Sequence, residues 1–112
     1  MLRPICTIGR TRVFALVGPE RKALAEVRAM LDALPCGALR PLRWPHYTVS
    51  YAAMFGSTMP GEVSLAHHGA LVLFDAARFR ASILRELPGV LRAGASRGLR
   101  AQPRALVIHA PR

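Results

Sequence analysis

Residues 18–22 read Gly-Pro-Glu-Arg-Lys and directly follow a short apolar run that predicts a buried strand. A strand, a glycine turn and a helix are the parts of a phosphate-binding loop, in which backbone N–H groups and a lysine hold phosphate oxygens. Gly18, Arg21 and Lys22 are therefore the candidate nucleotide-binding residues. Lys22 comes four residues after Gly18, whereas the G-x-x-x-x-G-K-[ST] pattern requires six. The plain alternative is an ordinary first turn of a helix.

A single acid, Asp75, follows the apolar run 69–74. ATP hydrolysis at the end of a buried strand uses one carboxylate to hold Mg²⁺ and a neighbouring residue to activate the attacking water. Asp75 is the candidate for both roles, as metal ligand and as catalytic residue. One carboxylate cannot fill both, so the sequence predicts little hydrolysis. The alternative is a minimal MgATP-dependent ATPase that uses Lys22 and Asp75.

Two dense motifs lie between the candidate loop and Asp75. They read RPLRWPHYTVS at residues 40–50 and PGEVSLAHHGALVLFD at residues 60–75. Both resemble the magnesium-chelatase-like branch of the AAA+ ATPases, where RPFRAPHHTIS is followed by PGEISLAHNG and an acidic strand. The resemblance implies a P-loop NTPase-like core, ATP and Mg²⁺ as cofactors, and relatives among chelatase motor subunits and competence-associated DNA helicases.

The same resemblance implies that the ATPase is degenerate. Family members carry GVLFLDE where this chain ends in Leu73-Phe74-Asp75, so Phe74 falls at the metal position and Asp75 at the base position. Ala110 stands where the family has an asparagine that senses the γ-phosphate. A complete module needs roughly twice 112 residues, which makes this a truncated member. We expect weak or absent ATP binding and a docking role, either on a full-length AAA+ ATPase ring or on a second copy.

The chain is strongly basic, with 16 Lys and Arg against six acidic residues and a net charge of +10. Such a charge attracts phosphate in nucleotides or nucleic acids. Arg40 and Arg43 lie beside Trp44 and Tyr47, and aromatic rings among arginines can stack on the bases of a single strand. A small basic nucleic-acid-binding protein is therefore a third interpretation, with Arg40 and Arg43 as the contacts.

Four histidines and two cysteines raise the question of zinc. No pair of them has the Cys-x₂-Cys or His-x₃-His spacing of a structural site, so we predict no zinc centre. Two cysteines also make no disulfide framework, which favours reduced thiols and a cytoplasmic protein. No apolar run approaches the length of a membrane span, so we expect no membrane partner.

The elements that must position these residues follow from apolar periodicity. Three apolar runs that open near Arg12, Ala70 and Arg104 predict parallel strands joined by crossover helices. The resemblance implies that these three strands are neighbours in the sheet. A helix after Pro19 has its apolar stripe at residues 24, 27, 31 and 34. A second helix begins at Phe79, and Pro88 should kink or end it near Leu87.

The predicted fold class is α/β, a truncated P-loop NTPase-like three-layer core with a short parallel sheet. We expect a single domain over residues 1–112 that includes an insertion region at 39–68. Within the insertion, Tyr47 to Met54 and Glu62 to Ala66 are expected to be short extended segments joined by the turn region Gly56 to Gly61, which predicts a hairpin. The resemblance implies that this hairpin projects from the core.

Overall fold

A computed structural model describes residues 1–33 and 41–111 of the chain. Helices and strands alternate along most of this length, as the sequence predicts for an α/β domain. In chain order the elements are β1 Arg3–Ile8, β2 Thr11–Val17, α1 Glu20–Asp32, β3 Leu42–Arg43, α2 Tyr51–Phe55, α3 Glu62–Leu65, β4 Ala70–Leu73, a 3₁₀ turn Ala76–Arg78, α4 Ala81–Ala93, β5 Ala95–Ser96, β6 Leu99–Arg100 and β7 Ala105–Ala110.

The main sheet has five strands in the order β1-β2-β7-β4-β3. The last four of these are parallel, and β1 pairs with β2 antiparallel at one edge. The prediction that β2, β4 and β7 are neighbours in a parallel sheet is confirmed. Strand β1 was not predicted, because its sequence RPICTI holds a proline and lacks the alternation of a half-buried strand. Almost all of β1 is exposed, which is consistent with an edge position.

The sheet is covered on both faces, which makes the core three-layered. Alternate residues of β4 point to opposite faces, as they do in any strand. Leu71 and Leu73 join the cluster beneath α2, α3 and α4. Ala70 and Val72 join the cluster beneath α1. Because β4 is apolar on both faces, its sequence is a continuous apolar run.

Helix α1 begins directly after Pro19, whose fixed φ suits the start of a helix. Ala23, Val27 and Leu31 lie on its inner face and are almost completely buried. Burial of a valine or leucine side chain contributes about 1.5–3 kcal/mol, so this stripe holds α1 on the sheet. Leu34, the last position of the predicted stripe, lies outside the described residues.

The predicted hairpin is wrong for the part of the insertion that the structure describes. Residues 51–55 and 62–65 form two short helices, α2 and α3. Ser50 caps the start of α2, and its hydroxyl accepts a hydrogen bond from the backbone N–H of Ala53 at 3.0 Å, which favours a helix over a strand. Met54, Phe55 and Val63 are buried in the main core, so the segment does not project.

Helix α4 continues past Pro88 to Ala93, so of the two effects predicted for Pro88, a kink or an end near Leu87, the end is wrong. A proline inside a helix removes one N–H donor and crowds the preceding turn. Leu87 and Leu91, on either side of it, are 3% and 1% exposed, and their burial offsets that cost. The helix ends instead at Gly94, which has φ 70°, a left-handed conformation that glycine adopts readily.

The helices are short. The two longest, α1 and α4, have 13 residues each. Among residues 1–33 and 41–111, no helix combines the length and apolar character needed to cross a bilayer.

Candidate functional site

The candidate site is a crevice at the carboxyl ends of the parallel strands. In open α/β sheets, ligands bind outside these ends because loops and helix N-termini meet there. A cleft of about 370 Å³ lies at this edge. Its walls come from the start of α1 and from the segments that follow β3 and β4: Glu20, Trp44, Pro45, His46, Tyr47, Phe74, Asp75 and Arg78.

The loop between β2 and α1 contains only two residues, Gly18 and Pro19. The backbone N–H of Gly18 donates to the carbonyl oxygen of Ala110 at 3.0 Å, which extends the pairing of β2 with β7. Pro19 has no N–H to offer. The first helical residue, Glu20, places a carboxylate in the wall of the cleft.

His109 links the segment at Gly18, after β2, to the segment at Asp75, after β4. Its Nδ1 accepts a hydrogen bond from the backbone N–H of Asp75 at 3.0 Å. An acceptor at Nδ1 places the proton of the neutral imidazole on Nε2, which donates to the carbonyl oxygen of Gly18 at 2.6 Å. The residue is 1% exposed. The buried ring therefore connects the end of β2 to the end of β4 through β7.

The centre of the crevice is occupied by side chains that contact each other. Phe74 packs edge-on against His109, with ring centroids 5.2 Å apart. Asp75 has φ 52° and ψ 56°, and its carboxylate lies 3.9 Å from the guanidinium of Arg78. The same guanidinium stacks over the ring of Tyr47, 3.9 Å from its centroid. Arg78 thus forms an ion pair with Asp75 and a cation–π contact with Tyr47.

The predicted nucleotide-binding residues do not lie together with Asp75. Lys22 and Gly18 line a separate cavity of about 250 Å³, which also contains Met1 and Glu26. Arg21 is exposed on the first turn of α1. The structure therefore places the predicted lysine and the predicted carboxylate in different cavities.

The predicted nucleic-acid contacts are only partly described, because Arg40 lies outside the described residues. Arg43 forms two hydrogen bonds with the carboxylate of Glu62, Nε at 2.8 Å and a terminal nitrogen at 3.0 Å. This partner raises the pKa of Arg43 above its ordinary value. Trp44 remains 45% exposed, with the guanidinium of Arg28 5.8 Å from its ring centroid.

The other histidines lie away from the cleft, except His46. His67 stacks on His68, with centroids 3.8 Å apart, and its Nδ1 accepts from the backbone N–H of Gln102 at 3.0 Å. Burial, followed by the positive charge of His68 and Arg100, lowers the pKa of His67. Within the part of the chain that the structure describes, no three His, Cys, Asp or Glu side chains come together as metal ligands.

His109 is not among the site residues predicted from the sequence. The signal was present, since a histidine interrupts the otherwise apolar run of the last strand. A polar residue in a fully buried strand requires hydrogen-bond partners, and at the carboxyl end of β7 the partners are the neighbouring loops. The pattern predicts a buried polar link, although it does not say which loops are joined.

The parallel sheet, the helices on both faces and the crevice at the carboxyl ends define an α/β domain of the P-loop NTPase type. The family model for magnesium chelatase, subunit ChlI, matches residues 19–104 of the chain. The chain therefore belongs to this magnesium chelatase family, which gives it an AAA+-related ancestry. Among curated proteins, no match was found.

Proposed function

We propose that this domain works as a docking module for a protein partner, a full-length AAA+ ATPase ring, and that it does not run a cycle of ATP hydrolysis. The observation that carries the proposal is the buried link through His109. The imidazole joins Gly18, at the place of the phosphate loop, to Asp75, at the place of the catalytic carboxylate. Side chain and backbone thereby bond to each other where a nucleotide requires free groups.

The residues around Gly18 do not fit the phosphates of a nucleotide. A phosphate loop presents several backbone N–H groups and a lysine to the anion. Here the N–H of Gly18 is bonded to Ala110, and the two-residue loop is too short to wrap around an anion. Glu20 adds a negative charge at the entrance, while Lys22 lies in another cavity.

The residues around Asp75 do not fit Mg²⁺ either. Magnesium requires an octahedron of oxygen ligands, usually completed by phosphates and waters. The carboxylate of Asp75 faces the guanidinium of Arg78 at 3.9 Å, and Phe74 fills the preceding position with an apolar ring. We therefore derive no hydrolytic step at this site.

The docking role is supported by the exposed edge of the sheet. Strand β1 pairs with β2 on one side only, and an unpaired edge can accept a strand of a partner. Three large apolar residues near this edge are exposed to solvent, Met1 by 87%, Ile5 by 59% and Val17 by 58%. An open sheet edge with exposed apolar side chains offers both backbone pairing and apolar area to a protein partner.

A thermal melt with and without saturating MgATP tests the absence of a nucleotide site. A ligand at about 100 times its Kd that binds only the folded state adds roughly 2.7 kcal/mol, which for this size corresponds to a Tm shift of about 10 °C. We expect no shift of that size for the wild type or for Lys22→Ala. A shift that disappears in Lys22→Ala would support the minimal ATPase instead.

Size-exclusion chromatography with light scattering tests the docking role. The chain is run alone and mixed with a full-length magnesium-chelatase-family ATPase from the same organism. We expect the two proteins to elute together, and Ile5→Lys to weaken the complex because it places a charge on the β1 edge. Leu99→Lys is the matched control, since Leu99 is 44% exposed on β6, outside the main sheet. Separate elution at micromolar concentrations would contradict the proposal.

A further inference from the structure

A second concave surface lies at the amino-terminal ends of the parallel strands, opposite the crevice at their carboxyl ends. It has a volume of about 500 Å³ and opens at the amino-terminal ends of β2 and β7. We call it the basic groove, and it is lined by Leu2, Arg10, Arg12, Phe14, Met30, Arg104 and Ala105. Neither the crevice nor the β1 edge accounts for this surface.

The backbone beneath the basic groove is firmly held. The N–H of Arg12 donates to the carbonyl oxygen of Arg104 at 3.0 Å, so the starts of β2 and β7 are bonded. Next to it, the buried hydroxyl of Thr11 donates to the carbonyl oxygen of Pro103 at 2.6 Å. The starts of the two strands thus place Arg10, Arg12 and Arg104 around one opening, and all three arginines are exposed.

The described residues that line the groove carry positive charge and no negative charge. Three of them are arginines, and none of them is acidic. In the described ranges, 1–33 and 41–111, the three ion pairs involve other arginines or the N-terminus. The sequence of residues 34–40 adds no acid either. The floor, by contrast, is apolar and is formed by Leu2, Phe14 and Met30.

We propose that the basic groove binds an acidic peptide segment of the partner protein, with one large apolar side chain inserted between the arginines. Carboxylates at the rim would pair with the guanidinium groups, which bind such groups in a forked geometry. The apolar side chain would cover Leu2 and Met30. The proposal rests on the proposed docking function, because it takes a protein as the partner. The groove begins at Leu2, next to β1, so one partner can reach both surfaces.

A second copy of the chain is a poor occupant of the groove. Its six acidic residues are isolated from each other, and no two of them lie within five positions in the sequence. Nucleic acid is also a poor occupant, because single strands bind by stacking on exposed aromatic rings. The one aromatic residue in the groove, Phe14, is 9% exposed and lies beneath the guanidinium of Arg12, which is 5.5 Å from its centroid.

Fluorescence anisotropy with labelled synthetic peptides tests the proposal. The probe is a nine-residue peptide of alternating Asp and Glu with phenylalanine at its centre. One comparison peptide replaces the phenylalanine with alanine, and a second replaces the acids with serine. We expect the alanine peptide to bind about tenfold more weakly, which corresponds to about 1.4 kcal/mol of lost apolar burial. The serine peptide should not bind measurably.

Two variants of equal charge locate the binding. Arg10→Gln with Arg104→Gln removes two charges from the groove, and the two hydrogen bonds beneath it, donated by the backbone N–H of Arg12 and the hydroxyl of Thr11, remain. Arg85→Gln with Arg92→Gln removes two charges from exposed positions on α4. We expect the groove variant to bind the probe at least tenfold more weakly, and the α4 variant to change the affinity less than threefold. Met30→Gln should reduce the advantage of phenylalanine over alanine.

Equal losses in the two double variants would overturn the proposal, because they would show attraction to net charge alone. An equally charged single-stranded oligonucleotide is the competitor. If the groove variant lost oligonucleotide binding and kept peptide binding, the groove would be a nucleic-acid site. MgATP is added in a final arm. If MgATP bound and the peptide affinity stayed unchanged, the proposed absence of a nucleotide site would be contradicted and the groove proposal would stand. The two proposals can therefore fail separately.

Discussion

The Nε2 of His109 lies 2.6 Å from the carbonyl oxygen of Gly18, and this hydrogen bond fixes the end of β2 against β7. The carbonyl of the first residue after β2 is thus bonded inside the protein. The other ring nitrogen of His109 holds the backbone of Asp75 at 3.0 Å. One buried side chain therefore sets the distance between the two segments at which nucleotide chemistry takes place in related folds.

Replacement of His109 by alanine should destabilise the domain by about 2–4 kcal/mol. The loss of the ring leaves a cavity and two partly buried backbone groups without their partner, and an unsatisfied buried group costs roughly 1–3 kcal/mol. His109→Asn should cost less than alanine, because its amide oxygen can still accept from Asp75. Urea unfolding followed by circular dichroism measures both variants.

His46→Ala is the control for this series, since His46 is a histidine that lines the crevice and is exposed. An exposed substitution of this kind should change the free energy of unfolding by no more than about 0.5 kcal/mol. If His109→Ala were as stable as His46→Ala, the link through His109 would have no structural weight.

The ion pair between Arg43 and Glu62 should contribute a measurable coupling energy. Its two hydrogen bonds, at 2.8 and 3.0 Å, give it the forked geometry in which such pairs are strongest. A double-mutant cycle with Arg43→Ala and Glu62→Ala should yield about 0.5–1 kcal/mol at low salt, and less in 1 M NaCl. Arg43→Lys should lose most of the coupling, because an ammonium cannot form the fork. A coupling of zero in both salts would indicate that Glu62 does not hold Arg43.

The stability of the domain should fall on the acid side partly because of His67. Its pKa is lowered in the folded state by burial and by His68 and Arg100, so between that pKa and the ordinary value of 6.5 the unfolded chain binds more protons. The contribution is fully present above about pH 6.5 and is lost as the pH falls through the lowered pKa. Tm measured between pH 8 and pH 5 should therefore fall less steeply in His67→Asn, whose amide oxygen can still accept from Gln102. Parallel Tm profiles would contradict this assignment.

The sheet was predictable because its strands are buried on both faces. A segment such as β4, covered by α1 on one side and by α4 on the other, must be a continuous apolar run, and such runs stand out in any sequence. Edge strand β1 gives no such signal, since neither of its faces needs to be apolar. The helix of residues 51–55 was predicted wrongly for a different reason. Tyr51 and Phe55 suit a strand by type, but the cap at Ser50 and burial against the core favour a helix.

The candidate site was less predictable than the fold. Motif spacing predicted that Lys22 and Asp75 belong to one site. Spacing along the chain does not determine which cavity a side chain lines, and the two residues line different cavities. The position of Arg78 over Tyr47 depends on the turn after β4, where Asp75 takes a left-handed conformation. Aspartate adopts this conformation more often than most residues, but its type does not determine which aspartate does so. Contacts across distant loops appear only in the folded structure.

Gly69 tests the packing between the insertion and the sheet. Gly69 precedes β4, and a Cβ there would overlap the carbonyl oxygen of Pro41. Its own carbonyl oxygen accepts from the backbone N–H of Arg104 at 2.8 Å, so the backbone cannot move away without breaking the start of β7. We expect Gly69→Ala to lower the free energy of unfolding by about 3 kcal/mol, the upper part of the range for overpacked sites.

Gly89→Ala is the matched substitution with the opposite expected sign. Gly89 lies inside α4, where a Cβ meets no atom within 4 Å and the backbone is helical. Alanine there should raise the free energy of unfolding by about 0.5–1 kcal/mol, because it reduces the freedom of the unfolded chain and favours the helix. Urea titrations of both variants under one buffer condition compare the two signs directly. A stable Gly69→Ala variant would mean that Pro41 and β4 are not in contact, and the position of β3 beside β4 would then have to be abandoned.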